Sequence, residues 1–200
     1  NHNHYLNLAF HLAEKNLGQT KLNPSVGTVI VKDDSVISSG VTSFNGRPHS
    51  EFNALNGLKN CSGLSLYTTL EPCTHYGRTP PCTNIIIKKK VKNVFYAFED
   101  PDIRTHKKAK KILPLKGIKT KLLPTKQYSK FYRSYFINKK LLIPFVTSKI
   151  AISKDYFTIN KKEKWITNEV SRKKVHLIRS RHDCILSTSK SINYDDSLLN

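Results

Sequence analysis

Residues 70–82 read Leu-Glu-Pro-Cys-Thr-His-Tyr-Gly-Arg-Thr-Pro-Pro-Cys, at the end of a short run of Leu, Tyr and Thr that predicts a buried β-strand over residues 64–70. Eight residues separate the two cysteines, Cys73 and Cys82. The two prolines before Cys82 suit the first turn of a helix, where a missing N–H does no harm, so we predict a helix over residues 82–89. The stretch therefore predicts a strand, a loop and a helix, with one thiol on the loop and one at the start of the helix.

The rest of the first 143 residues alternates strands and helices around this stretch. Strands are predicted over residues 26–31, 36–40, 91–98 and 118–123, and helices over residues 5–17, 105–113 and 127–138. A further helix begins at His49, in the sequence Pro48-His49-Ser50-Glu51. Two strands followed by strand–helix alternation predict a three-layer α/β/α sandwich with a mixed five-stranded sheet.

One imidazole and two thiols, those of His49, Cys73 and Cys82, form the donor set of a catalytic zinc site. Three protein ligands leave the fourth tetrahedral position open, whereas a structural zinc site has four. Two of the three fall near predicted helix N-termini, where the helix dipole favours the ligating form. Glu51 is placed to move protons beside a zinc-activated water. The order of these residues is that of zinc deaminases, although a structural zinc clip or reduced core cysteines would use the same residues.

The long insert between the cysteines differs from the deaminases that act on nucleic acids, in which two residues separate them. Its polar side chains include His75 and Arg78. We predict that this loop narrows the site and donates hydrogen bonds to a small anionic substrate.

The charge of the chain is strongly basic and unevenly distributed. The 200 residues carry 34 Lys and Arg against 14 Asp and Glu, a net charge of +20. Residues 1–87 have a net charge of +1, residues 88–181 of +21 and residues 182–200 of −2. Such an excess attracts polyanions, but it lies C-terminal to the predicted zinc site. We interpret it as mainly solvated helix faces, with residues 107–111 helping to bind one phosphate.

Other classes of protein are excluded by composition. Hydrophobic residues make up 38% of the chain, enough for a packed core. No apolar stretch reaches the roughly 18–20 residues of a membrane span, and the N-terminus lacks the pattern of a signal peptide. Four cysteines suit metal or thiol chemistry better than a disulfide framework. We therefore expect a soluble, cytoplasmic protein.

Four motifs together resemble the bifunctional riboflavin-biosynthesis deaminase/reductase family: residues 23–27 (Asn-Pro-Ser-Val-Gly), 48–51, 70–82 and 99–101 (Glu-Asp-Pro). The resemblance continues more loosely into segments similar to the opening of the family's reductase half, residues 149–155, 165–167, 176–179 and 194–198. It implies a cytidine-deaminase-like domain over residues 1–143. Over residues 144–200 it implies the truncated N-terminal part of a dihydrofolate-reductase-like α/β domain.

The activity implied by this resemblance is zinc-dependent hydrolytic deamination of 2,5-diamino-6-ribosylamino-4(3H)-pyrimidinone 5′-phosphate. In the complete family protein, NADPH-dependent reduction of the ribose follows. The three ligands named above match the family's zinc ligands, one ion per chain, and Glu51 matches its proton shuttle. The matched substrate contacts of the deaminase half are Asn23, His75, Arg78 and Asp100. In the reductase half, the matched positions are Arg179 and Leu199 at the substrate, and Ala151, Trp165, Ser191 and Asp195 near the dinucleotide.

The sequence departs from the family's pattern at two places near the predicted site. Ser50 stands where the family usually has alanine, and residues 104–111 replace a loop that contains glycine. The reductase half is incomplete, so we expect the chain not to reduce a substrate by itself. The family's deaminase sheets assemble, which predicts a homo-oligomer.

Two other functions remain compatible with the zinc motif. A nucleic-acid base deaminase, of the type that acts on tRNA, would use the same ligands together with the basic block. The long insert and the scarcity of arginine count against it. A zinc-bearing scaffold would bind the ion and deaminate nothing. The expected partner is a small phosphorylated pyrimidine, with no membrane and no nucleic acid.

Overall fold

The structure, a computed structural model, describes residues 1–158 and 165–195 and divides the chain into two units, Asn1–Phe145 and Val146–Asn200. The first unit contains a sheet flanked by helices. In chain order its elements are α1 (His2–Lys15), β1 (Gly27–Lys32), β2 (Ser35–Val41), α2 (Ser50–Leu55), β3 (Ser65–Leu70), α3 (Cys82–Lys88), β4 (Asn93–Phe98), α4 (Ala109–Ile112), β5 (Lys119–Leu122) and α5 (Arg133–Leu141). Two short 3-10 helices lie at Phe44–Gly46 and Pro114–Lys116.

The five strands form one mixed sheet in the order β2-β1-β3-β4-β5. Strand β1 pairs antiparallel with β2 and with β3, whereas β3, β4 and β5 run parallel to one another. The mixed five-stranded sheet predicted from the sequence is confirmed.

Alternate positions on the strands face opposite layers, as the period of two in a β-strand requires. Ile30, Leu66 and Val94 are aligned across β1, β3 and β4 and belong to a buried cluster with residues of α2, α3 and α4. One position along, Val29 and Tyr67 are paired and belong to a second cluster with residues of α1 and the segment that leads into α5. The sheet thus has an apolar layer on each face, which gives the predicted α/β/α sandwich.

Two glycines let helices approach the sheet closely. A side chain at Gly27 would collide with the backbone of Ala9 in α1, and one at Gly40 with the backbone of Ser50 and Ala54 in α2. The approach over Gly40 sets the position of the first turn of α2 and of the residue before it.

Two predicted helices are shorter in the structure. Residues 105–108 form turns before α4, because Lys107 adopts a left-handed conformation with φ of 58°. Helix α5 begins at Arg133, after turns over residues 126–132 in which N–H groups bond to carbonyls three residues back, as Phe131 does with Tyr128. Both differences place turns where the lysine and aromatic patterns predicted continuous helix.

The second unit contains α6 (Glu169–Arg179) and α7 (Ser189–Asp195). The side chain of Asn168 caps α6 by accepting the N–H of Ser171 at 2.9 Å. No strand is formed in residues 146–158 and 165–195, and no side chain is buried in residues 146–158 and 165–193. The predicted domain boundary after residue 143 stays a prediction. No helix in the described ranges of either unit is both long and apolar enough to cross a membrane.

Candidate metal centre and active site

Three potential metal ligands meet where β3 ends and α2 and α3 begin. His49 immediately precedes α2, Cys73 lies in the loop after β3, and Cys82 is the first residue of α3. Their donor atoms all lie within 4.8 Å of one another. His49 Nδ1 is 3.6 Å from Cys73 Sγ and 3.4 Å from Cys82 Sγ. A tetrahedral zinc ion with ordinary bond lengths holds nitrogen and sulfur about 3.6 Å apart, so the three side chains fit zinc.

The pKa values of the two thiols are shifted in opposite directions. Cys73 Sγ accepts the backbone N–H of Cys82 at 3.2 Å. The hydrogen bond from the Cys82 thiol, followed by the imidazole of His49, lowers the pKa of Cys73. The same hydrogen bond and burial raise the pKa of Cys82. A divalent cation displaces such a retained proton, because metals bind the thiolate rather than the thiol.

Glu51 lies in the first turn of α2, beside these ligands. Its side chain is almost fully buried at 4% exposure, and this burial raises the pKa of the carboxyl group. A carboxyl group whose pKa is moved toward neutrality is suited to take up and release a proton. The Ser50 hydroxyl donates a hydrogen bond to Glu51 Oε2 at 3.0 Å.

A pocket of about 110 Å³ adjoins the ligands. Its walls come from the segment before β1, from the loops after β2, β3 and β4, and from α2 and α5. Among the residues predicted from the sequence, it brings together Asn23, His49, Glu51, Cys73, His75 and Asp100. Cys82 is buried behind the wall, and Arg78 is exposed and does not line the pocket. The substrate contacts assigned to these residues stay predictions.

Two carboxyl groups in the loop after β4 have pKa values that are shifted in opposite directions. Burial raises the pKa of Asp100 to about 6. This carboxylate accepts the Tyr135 hydroxyl at 3.0 Å and the N–H of Asp102 at 2.9 Å. Asp102 instead accepts two hydrogen bonds from Arg104, at 2.9 and 2.6 Å, which hold its pKa well below the usual range. Lys139 Nζ lies 3.4 Å from the same carboxylate.

Glu71, which also lines the pocket, holds this loop in place. Its buried carboxylate accepts the backbone N–H groups of Asp100, Lys107 and Ala109 at 3.2, 3.0 and 3.0 Å. Because Glu71 lies in the same loop as Cys73, one side chain connects a metal ligand's loop to the wall that carries Asp100. The sequence analysis missed this role, although the residue adjoins the Pro-Cys motif.

The sequence analysis also missed the cationic groups of the pocket. Arg47, Arg104 and Lys139 line it, and Arg47 donates a hydrogen bond to the Thr79 hydroxyl. Burial, followed by the charge of Arg104, lowers the pKa of His75, whose Nδ1 lies 3.1 Å from the Thr105 hydroxyl. The position of Arg47 just before the Pro-His motif is the signal that could have identified it.

The lysine-rich run of residues 107–111 lies outside the wall of the pocket. Lys110 Nζ is 2.9 Å and Lys107 Nζ 3.7 Å from the carboxylate of Glu99. No residue of 107–111 lines the pocket. The predicted contribution of this run to phosphate binding stays a prediction.

The predicted reductase positions lie in the second unit. The Trp165 ring lies under the guanidinium of Arg172, 4.8 Å from its carbon, and Arg179 is in the last turn of α6. The Ser191 N–H bonds the Thr188 hydroxyl at 3.1 Å. Ala151 precedes these helices, Asp195 ends α7, and Leu199 lies outside the described residues. The roles assigned to all six stay predictions.

Comparison with known proteins agrees with this site. Residues 1–98 match the family model of the cytidine and deoxycytidylate deaminase zinc-binding region. Over 98% of its length the chain is 36% identical to the riboflavin biosynthesis protein RibD of Bacillus amyloliquefaciens and 31% identical to that of Escherichia coli K12. It covers 54% of each, so it spans about half the length of the curated relatives it matches.

Solved structures extend the similarity to the fold. RibD of Acinetobacter baumannii (form 1) superposes with a TM-score of 0.90 at 34% identity, over 100% of this chain and 57% of that chain. The deaminase/reductase of Thermotoga maritima superposes with a TM-score of 0.87 at 29% identity, over 98% and 58% of the two chains. The cytidine-deaminase-like fold predicted from the sequence is confirmed, with the start of the following domain.

Proposed function

Because this chain is a relative of the RibD riboflavin-biosynthesis proteins along almost its whole length, we propose that it catalyses hydrolytic deamination of 2,5-diamino-6-ribosylamino-4(3H)-pyrimidinone 5′-phosphate. One observation carries the proposal: the donor atoms of His49, Cys73 and Cys82 lie within 4.8 Å of one another beside a pocket that buries Glu51. Three ligands with an open position and a buried carboxylate are what a zinc-dependent deamination requires.

The chemistry is divided between the metal and the chain. Zinc, when bound at this site, lowers the pKa of water and so supplies a nucleophile at neutral pH. In the proposed reaction the Glu51 carboxylate takes up the proton released by this water. It delivers this proton to the ring nitrogen, then takes up the second proton of the same water as the carbon–nitrogen bond breaks and delivers it to the departing amine, which leaves as ammonia. Its burial serves this role, because the carboxyl group gains a proton more readily there than in water.

The rest of the pocket suits a polar ring with an anionic tail. Asn23, His75 and Asp100 present amide, imidazole and carboxyl groups for the edge of a pyrimidine. Arg47, Arg104 and Lys139 contribute positive charge to the same walls. We propose that Arg47, rather than Arg78, holds the phosphate, because guanidinium groups bind phosphate oxygens through paired N–H donors. Arg104 and Lys139, which are paired with Asp102, add positive charge around it.

The remaining parts of the function are proposed from the relatives alone. NADPH-dependent reduction of the ribose belongs in this proposal to the whole protein and not to these 200 residues, which span about half of such a relative. Assembly of the chain with copies of itself and a cytoplasmic location complete the proposal.

The test is release of ammonia from the pyrimidine substrate by the zinc-loaded chain. Glu51→Gln is expected to lower kcat by a factor of about 100 or more while one zinc ion per chain remains bound. Glu14→Gln, the same change on an exposed glutamate of α1, is the matched control and should leave kcat unchanged.

Two results would contradict the proposal. Full turnover by Glu51→Gln would remove the proposed proton shuttle. Stoichiometric zinc without any ammonia release from the unsubstituted chain would instead identify a zinc scaffold.

A further inference from the structure

A row of buried hydroxyl groups adjoins Glu51. Thr28 of β1 faces Ser50, the first residue of α2, with 2.8 Å between Oγ1 and Oγ. On its other side, Thr28 Oγ1 lies 3.2 Å from Oγ1 of Thr68 in β3. These three side chains are fully buried. The row ends at Glu51 Oε2, which accepts the Ser50 hydroxyl at 3.0 Å.

The number of protons in this row sets the direction of its hydrogen bonds. Each hydroxyl has one proton to donate, and away from water each group needs a partner. Between Thr28 and Ser50 either oxygen can be the donor. Thr28 has one proton and two possible acceptors, Ser50 Oγ at 2.8 Å and Thr68 Oγ1 at 3.2 Å. When Thr28 donates to the nearer oxygen, Ser50 accepts and keeps its own proton for the Glu51 carboxylate. A bond to a carboxylate is stronger than one between two hydroxyls, so this direction is favoured.

We propose that Ser50, oriented by Thr28, is a positioning residue that holds the Glu51 carboxylate in the rotation needed for proton transfer. The inference rests on the proposed deaminase function. A fixed Oε2 fixes the plane of the carboxylate and therefore the direction of its second oxygen. Proton transfer requires heavy atoms about 2.6–3.2 Å apart. A carboxylate that rotates freely spends less time in that geometry, which lowers kcat rather than substrate affinity.

The backbone explains how so short a side chain reaches both partners. Gly40 in β2 lies against the backbone of Ser50 and Ala54, so the first turn of α2 approaches the sheet closely. Ser50 therefore lies close enough to Thr28 for a hydrogen bond while its neighbour Glu51 lines the pocket.

A purely structural role makes a different prediction. Ser38 of β2 also ties α2 to the sheet, because its hydroxyl donates to the carbonyl of Ala54 at 2.7 Å. This bond does not involve Glu51. If the hydroxyls near α2 only attach the helix, removing the hydroxyl of Ser38 or of Ser50 would have the same effect on turnover.

The experiment measures kcat, KM and bound zinc for ammonia release by single variants of the full chain. Ser50→Ala is expected to lower kcat about tenfold, the size of one hydrogen bond to a charged group, with KM and zinc content unchanged. Thr28→Val, which keeps the side-chain shape but removes the hydroxyl, is expected to lower kcat about threefold. Thr28→Ser restores the hydroxyl and recovers most of that loss. Ser38→Ala is the matched control and keeps the kcat of the unsubstituted chain.

Several results would overturn the inference while the deaminase function stands. These are an unchanged kcat in Ser50→Ala, an equal loss in Thr28→Val and Thr28→Ser, or a loss of kcat in Ser38→Ala as large as in Ser50→Ala. A parallel change in KM or zinc content would also assign Ser50 to the fold rather than to Glu51. Absence of turnover in the unsubstituted chain would overturn the proposed function and this inference with it.

Discussion

Residues 1–145 bury two apolar clusters on the faces of a five-stranded sheet, whereas residues 146–158 and 165–193 bury no side chain. In the second region Ile150, Phe157 and Val170 are 73%, 65% and 76% exposed. Removal of apolar surface from water is the dominant stabilising contribution in folding. The first region therefore carries its own stability, and the candidate site lies entirely within it. The second region has apolar side chains without a core of its own.

Separating the two regions is the change with the largest expected effect. A chain that ends at residue 145 should unfold cooperatively and release ammonia at the rate of the full chain, because every residue that lines the pocket lies before residue 140. Residues 146–200 alone should show no cooperative transition, since a segment of this size with so little burial is marginal. Urea unfolding followed by circular dichroism, together with the ammonia assay, checks both halves.

The comparison would fail in either of two ways. A loss of cooperative unfolding in residues 1–145 would show that the first region depends on the second. A sharp urea transition in residues 146–200 would show that the second region forms a core of its own.

Leucine-to-alanine substitutions, one in each region, should change the free energy of unfolding by different amounts. This effect is smaller than that of separating the regions. Leu66 in β3 is fully buried, and Leu66→Ala should lower the free energy of unfolding by about 2–5 kcal/mol. Leu177 in α6 is 49% exposed, so Leu177→Ala should change it by about 0.5 kcal/mol or less. Urea unfolding of the full chain measures both variants. Equal losses would contradict the difference in burial between the regions.

The sequence was sufficient for most of the first region, because its signals are local. Short runs of apolar and β-branched residues identify β1, β3 and β4, and the prolines before Cys82 identify the start of α3. The zinc ligands could be predicted since the chemistry of zinc limits the residue types and their order. The starts of α4 and α5 could not, because a left-handed Lys107 and i+3 turns leave no composition signal.

Residues that act through tertiary contacts were harder to predict. Arg47, Arg104 and Lys139 lie far apart in the chain and meet only because two loops and a helix line one pocket. Ser50 was noted only as a small change from alanine, and its bond to Glu51 depends on how closely α2 approaches the sheet. For the positions predicted in the second region, the sequence resemblance remains the only support.

The smallest expected difference between the two regions comes from buried carboxyl groups, which make the free energy of unfolding depend on pH. All buried carboxylates of the described residues lie in the first region, and among them burial raises the pKa of Asp100 from 3.8 to about 6. The folded state then binds this proton more tightly than the unfolded state does. The stability that the group contributes is therefore present below about pH 4 and lost as pH rises through 6.

Asp100→Asn tests this, because asparagine has no proton to lose and its oxygen can still accept the Tyr135 hydroxyl. Relative to the unsubstituted chain, the variant should gain roughly 2–3 kcal/mol of unfolding free energy between pH 4 and pH 7. Asp102→Asn is the control, since Arg104 lowers the pKa of Asp102 and its contribution is lost only as pH falls below about 4; this variant should show almost no change relative to the unsubstituted chain between pH 4 and pH 7. Urea unfolding at the two pH values measures both. If the difference in unfolding free energy between Asp100→Asn and the unsubstituted chain were the same at pH 4 and pH 7, burial would not affect the ionisation of Asp100. The two regions would then differ only in how much apolar surface they bury.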